Sequence, residues 1–556
     1  MVSLHPVASP RTRSKPLAAC IAALCGLSAS TAMATGATWD VTDCSDNGGP
    51  GTLRSVISAV TTMTADIVNL SSAPCGTITL AAGNTAIPVA QANLRIQTSG
   101  NDHITIDGSA LKSGVTSGNA SRIFSHLGTG TLTLQGVTLT GGHVYPLAVS
   151  AYGGCIRSAG NVELINSTVT SCSAQSAAAA TSKLKVYGGG IFASGNVTLT
   201  GSTVSNNSAT SANYSVNGAG IFATGNVVTT HSMISGNYGK GQGTVGGGIH
   251  AKTGTITLSY STVSGNTLKS LSADHGAYGG GIYSPSGALT ASYSTISGNS
   301  VFNDAGLAAG GGIYTHGSLT LRKSTISDNY SSVAIGGIAA FLLGSANSNH
   351  FYMLASTVSG NSSGGLVGGI GVNSSTTKIY NSTIAFNTAV NYYSTLPRHY
   401  YSPGVSANYR PSVGPATLTL QSTIIANNTI FGGYGNDLSA GVVPGKVVIQ
   451  GSNNLVRKFG SDVTLPASQG NISGVCPLLG PLRDNGGGSY THALHSGSPG
   501  VAVGNNTTAD PLTQITALYD QRGPGYARAV DGNVDMGAYQ RQHDNIFDAA
   551  FDRDCP

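Results

Sequence analysis

The stretch GGGIYSPSGALTASYSTISGN, Gly279–Asn299, is followed after a short gap by a near copy, GGGIYTHGSLTLRKSTISDN, Gly310–Asn329. The Gly-rich opening recurs ahead of Ile191, Ile221, Ile249, Ile282, Ile313, Ile338 and Ile370, at spacings of 30, 28, 33, 31, 25 and 32 residues. A Ser-Thr-Val/Ile landmark follows each of several openings, at Ser202–Val204, Ser261–Val263, Ser294–Ile296, Ser324–Ile326, Ser356–Val358 and Ser382–Ile384. Each landmark closes on an Asn: Asn207, Asn266, Asn299, Asn329, Asn361 and Asn387. A period in this range marks a solenoid, in which no single repeat can bury its own apolar face.

Within the period the apolar residues alternate, as in Val197-x-Leu199, Ile256-x-Leu258 and Leu319-x-Leu321. Period-two spacing predicts strands, and no window carries the i, i+3, i+4, i+7 stripe of a helix. Three short strands per turn, broken by Gly and Asn, predict an all-β, right-handed parallel β-helix. Aliphatic side chains would stack inward, and the recurrent Asn would stack in a turn, each amide bonding the next. The residues left over between each Asn and the next Gly run, such as 208–217, 267–278 and 300–309, are expected to leave the rod as irregular loops along one edge.

Composition agrees with an ordered β protein. Gly supplies 78 of 556 residues, and charged residues only 8%. Val, Ile and Thr are abundant, which suits strands and not a disordered chain. A net charge of +5 with no Lys/Arg stripe gives no footprint for nucleic acid. The N-terminus reads as an export signal: Arg11, Arg13 and Lys15 precede an apolar run, Leu17–Leu27, and Ala32-Met33-Ala34 is a small-residue cleavage site. Leu17-Ala18-Ala19-Cys20 also fits a lipoprotein box, but almost no apolar core precedes it. No segment beyond the leader offers the ~20 apolar residues of a membrane span. Six cysteines remain after residue 34, and sequence neighbourhood favours Cys44–Cys75, Cys155–Cys172 and Cys476–Cys555.

The ends carry a resemblance. Asp46-Asn47-Gly48-Gly49-Pro50-Gly51-Thr52-Leu53-Arg54-Ser55-Val56-Ile57 resembles the CSLREA-type N-terminal module of bacterial exported β-helix proteins, with Val56 where that module carries Ala. Arg483-Asp484-Asn485-Gly486-Gly487-Gly488, His492-Ala493-Leu494, Gly497-Ser498-Pro499, Asp520-Gln521-Arg522-Gly523 and Asp535-Met536-Gly537-Ala538-Tyr539 together resemble the choice-of-anchor Q domain. The repeats are similar to those of polymorphic outer-membrane protein and autotransporter passengers. The resemblance implies an exported bacterial protein, held at or released from the cell surface and adhesive in character. It implies no reaction. The predicted organisation is a signal peptide over 1–34, an N-terminal cap and irregular first coils over 35–150, regular coils over 151–440, and last coils with a C-terminal domain over 441–556.

Enzyme chemistry on such a rod would need convergent carboxylates, or a base with a cation. Residues 151–440 hold only Glu163, Asp274, Asp304, Asp328 and Asp437. Asp274 and Asp304 fall at similar places before Ile282 and Ile313, and Asp328 follows one turn later, beside Arg322 and Lys323. These three aspartates are the catalytic candidates, weighed against plain turn carboxylates that bond backbone amides. His231, His250, His275 and His316 lack metal-site spacing, and His250 and His316 read as exposed rod positions. No metal or cofactor is expected. The densest binding signal is VNYYSTLPRHYYSPGVSANYRPSVGP, Val390–Pro415, where Tyr392, Tyr393, Tyr400, Tyr401 and Tyr409 interleave with Arg398, His399 and Arg410. Aromatic faces stack on sugar rings and Arg forks bind carboxylates or sulfates. Tyr187, Tyr214, Tyr238 and Tyr278 are expected to extend the same surface. The reading favoured is a secreted or cell-surface, non-enzymatic, adhesin-like protein whose partner is a polysaccharide or cell-surface glycan. The alternatives are a polysaccharide lyase or glycoside hydrolase of the pectate-lyase-like type, and a structural spacer.

Overall fold

The computed structural model describes residues 36–60, 66–100, 102–114, 121–146, 149–176, 183–342, 349–390, 402–408, 416–431, 433–440, 446–461, 463–505 and 517–542. It is a nearly all-β solenoid of about 12 turns, built from parallel sheets. One coil shows the plan. Ile191–Ala193 lies on face I, Val197–Thr200 on face II and Thr203–Ser205 on face III; Ser208–Ser211 then forms face IV and Ser215–Asn217 face V, before Ile221 begins the next coil. The five faces contain 12, 14, 14, 11 and 6 strands. The recurrent Ile residues pair directly, Ile191 with Ile221 and on through Ile249, Ile282, Ile313, Ile338 and Ile370 to Val405.

Faces I, II and III enclose one continuous core. Ile191, Val197, Leu199 and Val204 all point inward, and the same register repeats along the rod. Burying each such side chain contributes roughly 1.5–3 kcal/mol. Faces IV and V correct the expectation of irregular loops. Residues 208–217, 267–278 and 300–309 leave one edge, as expected, but they fold into two further stacked sheets. The cause is a second alternation of small apolar residues. Ala209 and Val216 bury in one side core, and Leu268, Ala277, Val301 and Ala308 in another. Each coil templates these strands for the next, so a turn in this part of the rod has five strands where three were expected.

Between faces III and IV runs a buried Asn ladder. The backbone N–H and side-chain Nδ2 of Asn207 both donate to Oδ1 of Asn237, at 3.0 and 2.9 Å. The same pair of bonds links Asn237 to Asn266, then Asn299, Asn329, Asn361, Asn387 and Asn428. Each Nδ2 also donates back to a face III carbonyl, as Asn299 does to Val263 at 2.9 Å. The ladder ends on Asp437: Oδ1 accepts both donors of Asn428, and Oδ2 accepts the Lys458 amide. Asp437 suits a terminus because its oxygens accept the last donors and it carries no side-chain amide N–H of its own to satisfy. At the opposite bend, between faces V and I, the chain folds concavely. Gly279 adopts φ +68°, and a Cβ there would lie 2.3 Å from the Ile282 carbonyl oxygen. The positive φ and the close approach together require glycine.

Both ends of the main core are closed. A helix, Leu53–Ala59, places Leu53, Val56 and Ile57 on the N-terminal end of that core, and Thr52 caps it by accepting the Ser55 amide. Coils in register begin as early as Asp66–Asn69. At the other end the chain turns back along the outside of face III. The antiparallel pair Leu479–Arg483 and Thr491–Leu494 lies there, with Leu479, Leu494 and Met536 packed on Ile424, Ala426 and Leu455. Gln521 bonds Thr325 and Thr357, Ala538 bonds Thr383, and fully buried Arg528 donates to Asn381. Disulfides join Cys44 to Cys75 and Cys155 to Cys172. Cys476 is disulfide-bonded too, while Cys555 lies outside the described residues, as does the leader.

Two outcomes follow. Asn299→Ala leaves the two donors of Asn266 without an acceptor inside the core, which is expected to cost about 2–4 kcal/mol; Asn226→Ala, in an exposed corner, should cost about 1 kcal/mol or less. Denaturant midpoints of the two variants measure the difference. Burial pushes the Asp437 carboxyl up to about 7, against the hydrogen bonds that favour its ionised form. The folded state therefore holds this proton up to pH 7, whereas the unfolded chain releases it near the ordinary value of 3.8. Stability from this group is complete below pH 4 and is lost as pH rises through 7. Melting of the wild type relative to Asp437→Asn should thus be higher at pH 5 than at pH 8.

Candidate functional site

The concave bend between faces V and I creates the most distinctive surface of the molecule. On face I the residue after each core Ile points outward. Read along the sheet, that column is Ser125, Arg157, Phe192, Phe222, His250, Tyr283, Tyr314, Ala339, Gly371 and Ser406. On face V the outward residue just before the bend is Tyr152, Tyr187, Asn217, Val245, Tyr278 and Ala309 in successive coils. Because the bend is concave, the two columns face each other across a trough.

Their rings are in contact. Tyr152 stacks on Tyr187 with centroids 5.2 Å apart, and Phe192 on Phe222 at 5.5 Å. Across the trough Tyr152 meets Phe192 edge-on at 4.9 Å, Tyr187 meets Phe222 at 4.9 Å, and Tyr278 meets Tyr314 at 4.7 Å. Tyr152, Tyr187, Phe192, Tyr278 and Tyr283 are half-buried, so ring surface and hydroxyls reach solvent. Burial raises the phenol pKa of Tyr187, Tyr278 and Tyr283, and these hydroxyls remain protonated donors over the physiological range. At the head of the trough the Arg157 guanidinium lies 5.3 Å from the Tyr152 ring.

His250 corrects its expected exposure. It is 5% exposed, wedged between Phe222 and Tyr283 at 5.0 Å from each. Its Nδ1 makes no hydrogen bond. Burial, with Lys252 nearby, drives its pKa down to about 3. His316 is half-buried, and its Nε2 lies 3.2 Å from the Tyr314 hydroxyl.

The expected surface of Tyr187, Tyr214, Tyr238 and Tyr278 is divided. Tyr187 and Tyr278 line the trough. Tyr214 stands between faces IV and V beside Lys183 and Lys185, and Tyr238 is on the outside of face IV. Tyr392, Tyr393, Arg398, His399, Tyr400, Tyr401, Tyr409 and Arg410 lie outside the described residues. Asp274 and Asp304 are exposed on stacked turns between faces IV and V, where Asn303 donates to the Ser272 and His275 carbonyls and Asp304 pairs with Lys269. Asp328 is elsewhere, at the bend between faces III and IV. It borders a cavity of about 280 Å³ against the C-terminal hairpin, where His492 donates from Nδ1 to the Gly480 carbonyl and accepts the Ser359 hydroxyl. Burial raises the Asp328 pKa. The three aspartates therefore occupy two separate corners. Among the described residues no group of three His, Cys, Asp or Glu side chains is placed to hold a metal ion, and no helix is long and apolar enough to cross a membrane.

The aromatic at the residue after the Gly-run Ile is visible in the sequence at Phe192, Phe222, His250, Tyr283 and Tyr314, but its meaning depends on the concavity of the bend. No family model, curated protein or solved structure matches the chain. The resemblance of its ends to CSLREA-type and choice-of-anchor Q modules rests on the quoted residues alone.

A pH effect tests the environment of His250. With its pKa near 3, the folded state stays neutral while the unfolded chain takes up a proton near 6.5. Its contribution is complete above pH 6.5 and is lost as pH falls toward 3. The melting midpoint of the wild type should therefore drop relative to His250→Phe between pH 7 and pH 4.5, with little difference between them at pH 7.5.

Proposed function

We propose that this protein is an exported, surface-displayed or secreted solenoid that binds polysaccharide without transforming it, and that the chain of sugars lies along the aromatic trough. The observation that carries this reading is the column itself. Ser125, Ala339, Gly371 and Ser406 occupy the same outward position in other coils, so the fold tolerates small residues there. Phe192, Phe222, His250, Tyr283 and Tyr314 fill five consecutive coils, with Phe192 and Tyr283 reaching solvent and Phe222, His250 and Tyr314 buried as their support. Strands of adjacent coils are ~4.8 Å apart, so five coils span a length that suits an extended chain and not a single small ligand. Aromatic rings with protonated hydroxyls bind sugar rings by apolar contact and hydrogen bonding.

Export is supported by the leader-like N-terminus and by the disulfides, which persist in oxidising compartments. Adhesion is the use such a surface serves. The stretch Val390–Pro415 is not one insertion, because Val405–Ala407 within it is a regular face I strand paired with Ile370–Val372; Tyr392, Tyr393, Arg398, His399, Tyr400 and Tyr401 before that strand and Tyr409 and Arg410 after it belong to the same proposal as a second aromatic contact.

Affinity electrophoresis and a glycan array on the mature chain test the reading. Tyr187→Ala and Tyr283→Ala are each expected to weaken the best array ligand by about 5- to 10-fold, with circular dichroism melting as the control for folding. Deleting 391–401 should lower affinity further. Binding that survives both ring substitutions unchanged would retire the trough. Release of unsaturated uronides from pectin or alginate would instead favour a lyase.

A further inference from the structure

The head of the trough is an unbalanced concentration of positive charge. Arg122 is 7% exposed and lies under the bend at Gly153, whose carbonyl accepts its Nε at 3.4 Å. Arg157 stands in the face I column between Ser125 and Phe192 and is exposed. Neither guanidinium is within ion-pair distance of a carboxylate among the described residues. The charged group that acts on Arg122 is Arg157, and together with burial it lowers the Arg122 pKa to about 10. The sequence explains the absence of a counter-ion. From residue 108 to 273 the only acid is Glu163, against Lys112, Arg122, Arg157, Lys183, Lys185, Lys240, Lys252 and Lys269. Glu163 is on face II, where it accepts the Thr133 hydroxyl. The neighbouring segments 115–120, 147–148 and 177–182 contain no Asp or Glu.

A nearly buried cation beside a second cation, with no anion among the described residues to balance either, is costly for a fold to keep. Replacement by an apolar side chain would relieve that cost. Guanidinium is also the group whose planar fork matches carboxylate and sulfate oxygens. We propose that Arg122 and Arg157 form an anion subsite and that the polysaccharide held in the trough is acidic, its carboxylate or sulfate seated on this pair while its rings lie on Tyr152, Tyr187 and Phe192. The inference rests on the trough being a polysaccharide site and adds the charge of the ligand.

Two measurements on the folded, disulfide-bonded chain test it. The first is affinity for polygalacturonate, dextran sulfate and neutral dextran, for the wild type, Arg157→Gln and Arg122→Met. The wild type should favour at least one acidic polymer by about ten-fold or more, and Arg157→Gln should lose about ten-fold of that preference while its affinity for dextran is unchanged. A carboxylate ligand shows itself by the polygalacturonate arm and a sulfate ligand by the dextran sulfate arm. The second is thermal melting in sodium sulfate against sodium chloride at equal ionic strength. Sulfate should raise the wild-type midpoint by a few degrees and leave Arg122→Met unmoved, while Arg122→Met without sulfate should melt no lower than the wild type. Equal affinity for acidic and neutral polymers would overturn the anion subsite and leave the polysaccharide reading standing. Loss of binding to every polymer, with the sulfate shift intact, would overturn the polysaccharide reading and leave the anion subsite. An equal sulfate shift in wild type and Arg122→Met would sink the subsite outright.

Discussion

The structure depends on the continuity of one hydrogen-bonded column. An Asn in the core of a protein has an amide to satisfy as well as its own backbone, and a buried polar group without partners costs free energy. From Asn237 onward each amide oxygen accepts two N–H donors from the preceding coil, and each amide nitrogen donates at least twice. The column is thus satisfied only if every coil places its Asn in register with the next. Aliphatic stacking alone would tolerate slippage, because Ile, Val and Leu pack in several ways. The ladder fixes the register of faces III and IV, and through short bends it fixes the other three. The residue before each ladder Asn sits at positive φ, as Asn206, Gly236, Gly265, Gly298, Asp328, Gly360, Phe386 and Asn427 do. That accounts for the Gly-Asn, Asn-Asn and Asp-Asn pairs, since Gly, Asn and Asp accept this conformation most readily. Phe386 does not fit the preference, and it packs against His492 of the C-terminal hairpin.

Much of this was legible in the sequence. The Ile column, the Val/Ile column of face III and six rungs of the ladder follow directly from the period. The Ser-Thr-Val/Ile landmark misses Asn237 and Asn428, because the residues ahead of them read Met233-Ile234-Ser235 and Ile424-Ile425-Ala426, although Ile234–Asn237 repeats the Ile-Ser-Gly-Asn of Ile296–Asn299. The side lobe was misread for a similar reason. Two strands of two to four residues, with Ala or Val inside and Ser, Thr or Asn outside, carry too little local hydrophobicity to announce themselves. They are strands because the neighbouring coil offers an edge to pair with, and that is a property of the stack and not of the segment.

The trough illustrates a different limit. A period-two pattern states that Phe192, Phe222, Tyr283 and Tyr314 point away from the core, and on a convex surface that would mean exposure. Whether an outward ring meets solvent or another ring depends on the sign of curvature at the Gly bend. A single backbone conformation, φ near +68° at Gly218, Gly279 and Gly310, turns faces V and I toward each other. His250 changed from an expected surface residue into a buried one through that bend alone.

The placement of the C-terminal residues completes the division of the surface. Outward positions of face III are Thr or Ser over most of the rod, but Ile424 and Leu455 break the pattern where Met536 and Leu494 cover them. Arg528, Gln521 and His492 then convert polar positions of the same face into buried, bonded ones. The motifs Asp520-Gln521-Arg522, Asp535–Tyr539 and His492-Ala493-Leu494 are thereby accounted for by docking: Arg522 pairs with Asp520 and lies 3.9 Å from the centroids of both Tyr526 and Tyr539. Face III is thus occupied by the chain's own residues from the coil of Tyr293 onward. The aromatic trough is on the other side of the cross-section, between faces V and I, and the described C-terminal residues make their contacts on face III. Among the described residues, the polar C-terminal motifs close face III while the aromatic and cationic residues gather between faces V and I, which is the distribution the proposed ligand trough requires.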